Sequence, residues 1–189
     1  ISGHFEVATG IATYGDAGYI TLSTGASVAN GRGGDINILT GDTVLGNGAD
    51  VFMSAGFTSH SSGYGGEVAI AGGDGAGGGT VSLMGGHGVG NYVGGHAYLT
   101  AGNSALSSGG DVIISTGQGT TTSSGSLILE TVDSPKTSGS LNVRTGSTTS
   151  GKTGPINIKT GTALKANAGS ISILVGSGDS GLGGVIKIQ

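Results

Sequence analysis

The feature that most constrains this chain is a short pattern that returns at near-constant spacing. A unit Gly-x-Φ-x-Φ-x-Thr-Gly, with Φ an Ile, Val, Leu or Phe, is clearest in GYITLSTG from Gly18, GDINILTG from Gly34, GDVIISTG from Gly110, GSLNVRTG from Gly139 and GPINIKTG from Gly154. Looser copies fill the intervals: GHFEVATG from Gly3, ADVFMSAG from Ala49, GEVAIAGG from Gly66, GTVSLMGG from Gly79, GHAYLTAG from Gly95, GSLILETV from Gly125, GSISILVG from Gly169 and GVIKIQ from Gly184. The first Φ positions are Phe5, Ile20, Ile36, Val51, Val68, Val81, Ala97, Val112, Leu127, Leu141, Ile156, Ile171 and Ile186, spaced 13 to 17 apart and mostly 15. A fixed period of this kind marks an array of units that cannot bury their apolar faces alone.

Period-two alternation places both Φ side chains and the following Thr, Ala or Gly on one face and the intervening residues on the other. Between the alternating segments lie stretches of Gly, Ser, Thr, Asn and Ala, such as GASVANGRGG and GQGTTTSSG. These are turn formers. The pattern predicts an all-β chain, a parallel β-solenoid (β-helix) of about thirteen 15-residue strand-turn units forming one repeat domain over residues 1–189. A propeller would need four strands per repeat of about forty residues. Two facing sheets with two units per coil are preferred, because a one-unit coil would stack Asp35, Asp50 and Glu67, and also Arg144 and Lys159, as like charges. The repeated Thr at positions 9, 24, 40, 116, 131, 145 and 160 has inward parity and is expected to satisfy backbone groups at the corners.

Composition agrees with a low-charge repeat. Of 189 residues 44 are Gly, Lys and Arg total 7 against 11 Asp and Glu, and there is no Cys or Trp. A formal charge of -4 without a Lys/Arg run argues against nucleic acid as a partner. No apolar run approaches the length of a membrane span. The absence of Cys excludes disulfides and thiolate metal sites.

Motifs with chemical meaning are outweighed by their surroundings. GSTTSGKT, from Gly146 to Thr153, matches the phosphate-loop pattern, but such a loop needs a following helix to hold phosphate. Here Gly154-Pro155 leads into another alternating segment, so Lys152 reads as a solvated turn cation. Asp35, Asp50, Glu67 and Asp111 open segments and read as solvated charges in place of carboxylate catalysts. His4, His60, His87 and His96 lack zinc-site spacing. No catalytic, cofactor-binding or metal residue is assigned, and neither enzyme activity nor a cofactor is expected. The Ser/Thr clusters at 120–124 and 147–150 are candidate acceptors for O-linked glycans.

Assembly residues are the remaining candidates. The chain enters on a repeat and stops inside one, which predicts uncapped edges at Phe5 and Val7 and at Ile186 and Ile188. Such edges would join copies head to tail into a homopolymer, or would join the neighbouring repeats of a longer chain. An outward apolar stripe is expected at Phe52, Tyr98, Ile113 and Ile128.

Segments such as GGDVIISTG, at Gly109 to Gly117, and SGSLNVRTGSTTSG, at Ser138 to Gly151, resemble the Gly/Ser/Thr-rich repeat arrays of extracellular and surface proteins of algae and related protists, and of some fibre-like viral or bacterial proteins. The resemblance covers nearly the whole chain and implies an extracellular or cell-surface structural protein, part of a filament such as a surface hair, sheath or shaft. The alternative is a surface binding module, a glycan-binding adhesin or an ice-binding protein. An ice binder should carry an outward Thr ladder, whereas the Thr column here has inward parity.

Overall fold

The computed structural model describes residues 3–179, 181 and 183–188. The chain divides into two units, Ile1–Tyr98 and Leu99–Gln189. Within each, alternating segments are separated by linkers that carry one bend or turn apiece, for example at 13–15, 44–46 and 75–77 in the first unit and at 105–107, 149–151 and 164–166 in the second. These are the Gly/Ser/Thr/Asn-rich stretches that the repeat pattern marks as turns.

The alternating segments do not become strands. Among the described residues there is no strand and no helix, so the expected parallel β-solenoid with two facing sheets is not the fold, and the chain is coil. The backbone hydrogen bonds show why. Eight backbone-to-backbone bonds occur among the described residues, and all lie in the linkers or across their bases. A folded globular protein of this size would hold roughly one hydrogen bond per residue. A solenoid would need each segment to ladder against another along its length, whereas here only the ends of successive segments are pinned together. With two large inward side chains in about fifteen residues, a unit has little apolar area to offset the entropy of fixing so many glycines.

The consequence is a chain without a core. Among the described residues no side chain is buried, and the accessible surface is 19463 Å². A compact chain of 17.9 kDa would expose about 8,000 Å² and a fully unfolded one about 26,000 Å².

Order resides in the linker bases, or necks, where the end of one segment meets the start of the next. Two kinds of clasp close them. In the first, a threonine hydroxyl donates to the carbonyl of the residue that opens the next segment: Thr9 to Gly18 at 3.3 Å, Thr24 to Gly34 at 2.9 Å, Thr40 to Ala49 at 3.3 Å and Thr131 to Gly139 at 3.3 Å. This is the role expected for the repeated Thr. In the second, the N–H of the opening glycine donates to the carbonyl of the glycine that closed the previous segment: Gly66 to Gly56 at 2.9 Å, Gly79 to Gly73 at 2.8 Å, Gly95 to Gly86 at 2.8 Å, Gly110 to Gly102 at 2.9 Å and Gly125 to Gly117 at 3.0 Å.

Small residues before the closing glycine go with the backbone clasp, whereas threonine is found with either clasp and, at Thr145 and Thr160, with neither among the described residues. At four of the five backbone-clasped necks the residue there is Ala55, Gly72, Gly85 or Ala101, small enough for the two backbones to meet. At Gly72 and Gly85 the approach is so close that any Cβ would overlap the facing carbonyl of Gly79 or Gly95. Glycine is therefore required there for space. Thr24 holds both kinds of contact, with its backbone pair, Gly34 N–H to Gly25, stretched to 3.5 Å.

Candidate assembly surface

The largest chemical feature of this molecule is its uncovered apolar face. Alternation survives in the exposure of the side chains even though no ladder forms. In the segment Val112-Ile113-Ile114 the relative exposures are 48%, 83% and 58%, so the two inward-parity residues are half covered and the one between them stands free. Val51-Phe52-Met53 and Leu127-Ile128-Leu129 repeat the order, with the first residue least exposed and the middle one most. β-Branched and aromatic side chains favour such a two-sided arrangement because they pack well on a pleated, half-buried surface.

All four stripe residues, Phe52, Tyr98, Ile113 and Ile128, are exposed. Phe52 and Tyr98 belong to the first unit, Ile113 and Ile128 to the second. Tyr98 has a ring neighbour, His96, with centroids 5.7 Å apart and planes tilted by 47°. The edge residues Phe5, Val7, Ile186 and Ile188 are exposed as well. Because no strand is present among the described residues, these four do not form strand edges, and what they offer is accessible apolar surface.

None of the polar candidates converges on a reactive geometry. Asp35 meets Arg32 at 3.8 Å, and both side chains are largely in solvent. His60 is held in a local turn: Nδ1 accepts from the Ser62 N–H at 3.3 Å and lies 3.1 Å from the Ser62 hydroxyl, while the Gly63 N–H donates to the His60 carbonyl at 3.1 Å. Among the described residues no three His, Asp or Glu side chains gather as a metal would require, and no cavity is formed. The GSTTSGKT stretch bends at 149–151, where Gly151 takes a φ of 104° that a larger residue would resist. Thr148 donates to the Ser150 carbonyl at 2.9 Å and accepts from its N–H at 3.2 Å, and no helix follows to face a phosphate.

Sequence reasoning missed the backbone clasp. Its signal was present as the replacement of the segment-ending Thr by Ala or Gly at positions 55, 72, 85 and 101. What the surface offers is accessible apolar area beside open hydrogen-bonding groups. Each segment presents backbone donors and acceptors without backbone partners, beside a row of half-covered Ile, Val and Leu. The chain matches no family model, no curated protein and no solved structure.

Proposed function

We propose that this chain is a structural protein, a subunit or segment of an extracellular or cell-surface filament, hair, sheath or shaft, and has no catalytic role. Its apolar segments are covered by segments of like sequence, from other copies of the chain or from neighbouring repeats. One observation carries this reading: the inward-parity side chains of the repeats, such as Ile36, Val51, Val81, Val112 and Ile171, remain about half exposed beside unpaired backbone. Covering the exposed half of such a side chain is worth about 1 kcal/mol, and the repetition multiplies that gain along the chain. Monomeric proteins rarely leave contiguous apolar surface of this kind to water. The extracellular placement rests on the resemblance to surface repeat arrays.

Electron microscopy and sedimentation of the full chain over a range of concentrations test the reading. Fibres or large assemblies that grow with concentration are expected. A chain that stays monomeric at the highest attainable concentration overturns it.

A further inference from the structure

The charged residues of this chain are sorted along it. From Gly33 to Pro135 there are eight acidic residues, Asp35, Asp42, Asp50, Glu67, Asp74, Asp111, Glu130 and Asp133, and no Lys or Arg. From Lys136 to Gly178 there are five cations, Lys136, Arg144, Lys152, Lys159 and Lys165, and no Asp or Glu. A net charge of -4 conceals this separation. All of these side chains are exposed. The ion pair found among the described residues is Arg32 to Asp35, and none of the five cations takes part in it.

The repeats turn the sorting into regular arrays. Asp35, Asp50 and Glu67 occupy the first outward position of successive segments, and Arg144 and Lys159 the last outward position of successive segments. Each array repels itself, and a surface of opposite sign relieves that repulsion while steering encounter.

We propose that copies of this chain associate head to tail, the acidic tract of one copy lying against the basic tract of the next. This rests on the assembly reading above and adds its polarity. Like-with-like contact would set charge against equal charge. Acid-to-base contact in a staggered register leaves the second copy's acidic tract open to a third, so the association propagates; a reciprocal antiparallel pair would instead close as a dimer, and a species that stops at two copies overturns the proposal.

The test uses the full chain and two double variants at exposed positions. Arg144→Glu with Lys159→Glu puts two anions into the basic tract and leaves Lys136, Lys152 and Lys165 as its cations, and Asp50→Lys with Glu67→Lys puts two cations into the acidic one. Light scattering and electron microscopy should show that neither variant assembles alone in dilute salt and that an equimolar mixture recovers fibres. Wild-type elongation should fall about tenfold or more between about 0.05 M and about 1 M salt, where the screening length contracts from more than 10 Å to about 3 Å. Variants that assemble alone as the wild type does, a mixture that fails to recover, or wild-type fibres indifferent to salt overturn the proposal while leaving the assembly reading intact. A salt response without concentration dependence would place the two tracts against each other within one copy and overturn it too. A wild type that forms no fibres at any salt overturns the assembly reading itself.

Discussion

Necks closed by small residues and necks closed by threonine bring the same two points of the chain together with different groups. Beside Ala55 and Ala101 the glycine backbones meet at 2.9 Å, whereas beside Thr24 the equivalent pair stands at 3.5 Å and the hydroxyl bridges it at 2.9 Å. Branching at Cβ alone does not decide between them. A Cβ built at Gly34 would lie 3.0 Å from Thr24 Cβ, and one built at Gly125 would lie 3.5 Å from Thr116 Cβ, where the backbone bond survives at 3.0 Å. Threonine thus occurs beside both kinds of closure, with its Cβ closest to the facing glycine where the backbone pair is stretched, at Thr24. The residues that are intermediate in exposure, Ala55, Thr58, Gly88, Ala101 and Gly119, all fall between positions 55 and 119, the stretch in which the five backbone-clasped necks begin.

The largest effect should come from forcing one kind of neck into the other where no room exists. Gly85→Thr places a Cβ into the Gly95 carbonyl, and because that obstacle is backbone it cannot rotate away. The substitution is expected to open the neck at a loss of more than about 1 kcal/mol, seen as exchange of the Gly95 amide about tenfold faster or more. Unchanged exchange would show that size at this position does not select the clasp.

A smaller effect is expected at Thr131, whose neck has the hydroxyl bond to Gly139 and, among the described residues, no backbone bond beside it. Thr131→Val keeps the branched shape and removes the donor, which should cost about 0.5–1 kcal/mol. Amide order parameters over residues 132–138 are the readout, falling below about 0.6 when the clasp is lost. If they hold, the hydroxyl is incidental and packing of the branch against Gly139 closes the neck.

The units and their turns were legible in the sequence because both are local. Alternation at Val112-Ile113-Ile114 reappears as alternating exposure, and the linkers at 13–15 and 149–151 bend where Gly, Ser and Thr accumulate. Of the seven repeated Thr expected to satisfy backbone groups, Thr9, Thr24, Thr40 and Thr131 do so, while Thr116, Thr145 and Thr160 show no such bond among the described residues. The sheet was not legible, because alternation states which face of a segment wants cover and says nothing about what supplies it. That depends on non-local pairing, and the segments between Gly34 and Gly41 or Gly110 and Gly117 make no backbone bonds along their length. A solenoid and a coil with unsatisfied segments share one local pattern and differ in whether the cover comes from the same chain.

The finest test of the two-clasp comparison is Thr24→Ala, since this neck holds both contacts at once. Removing the hydroxyl deletes the 2.9 Å bond to the Gly34 carbonyl, and removing the branch takes away the Thr24 methyl that lies beside Gly34. If the branch is the obstacle, the Gly34 N–H should settle toward the 2.9 Å found beside Ala55 and Ala101. One hydrogen bond then replaces another, and net stability changes by no more than about 0.5 kcal/mol. Its signature is local and opposite to a simple loss: the Gly34 amide exchanges more slowly in the variant than in the wild type. Faster exchange would mean that the hydroxyl holds the backbone bond in place, and the two clasps would then be cooperating parts of one closure and not alternatives.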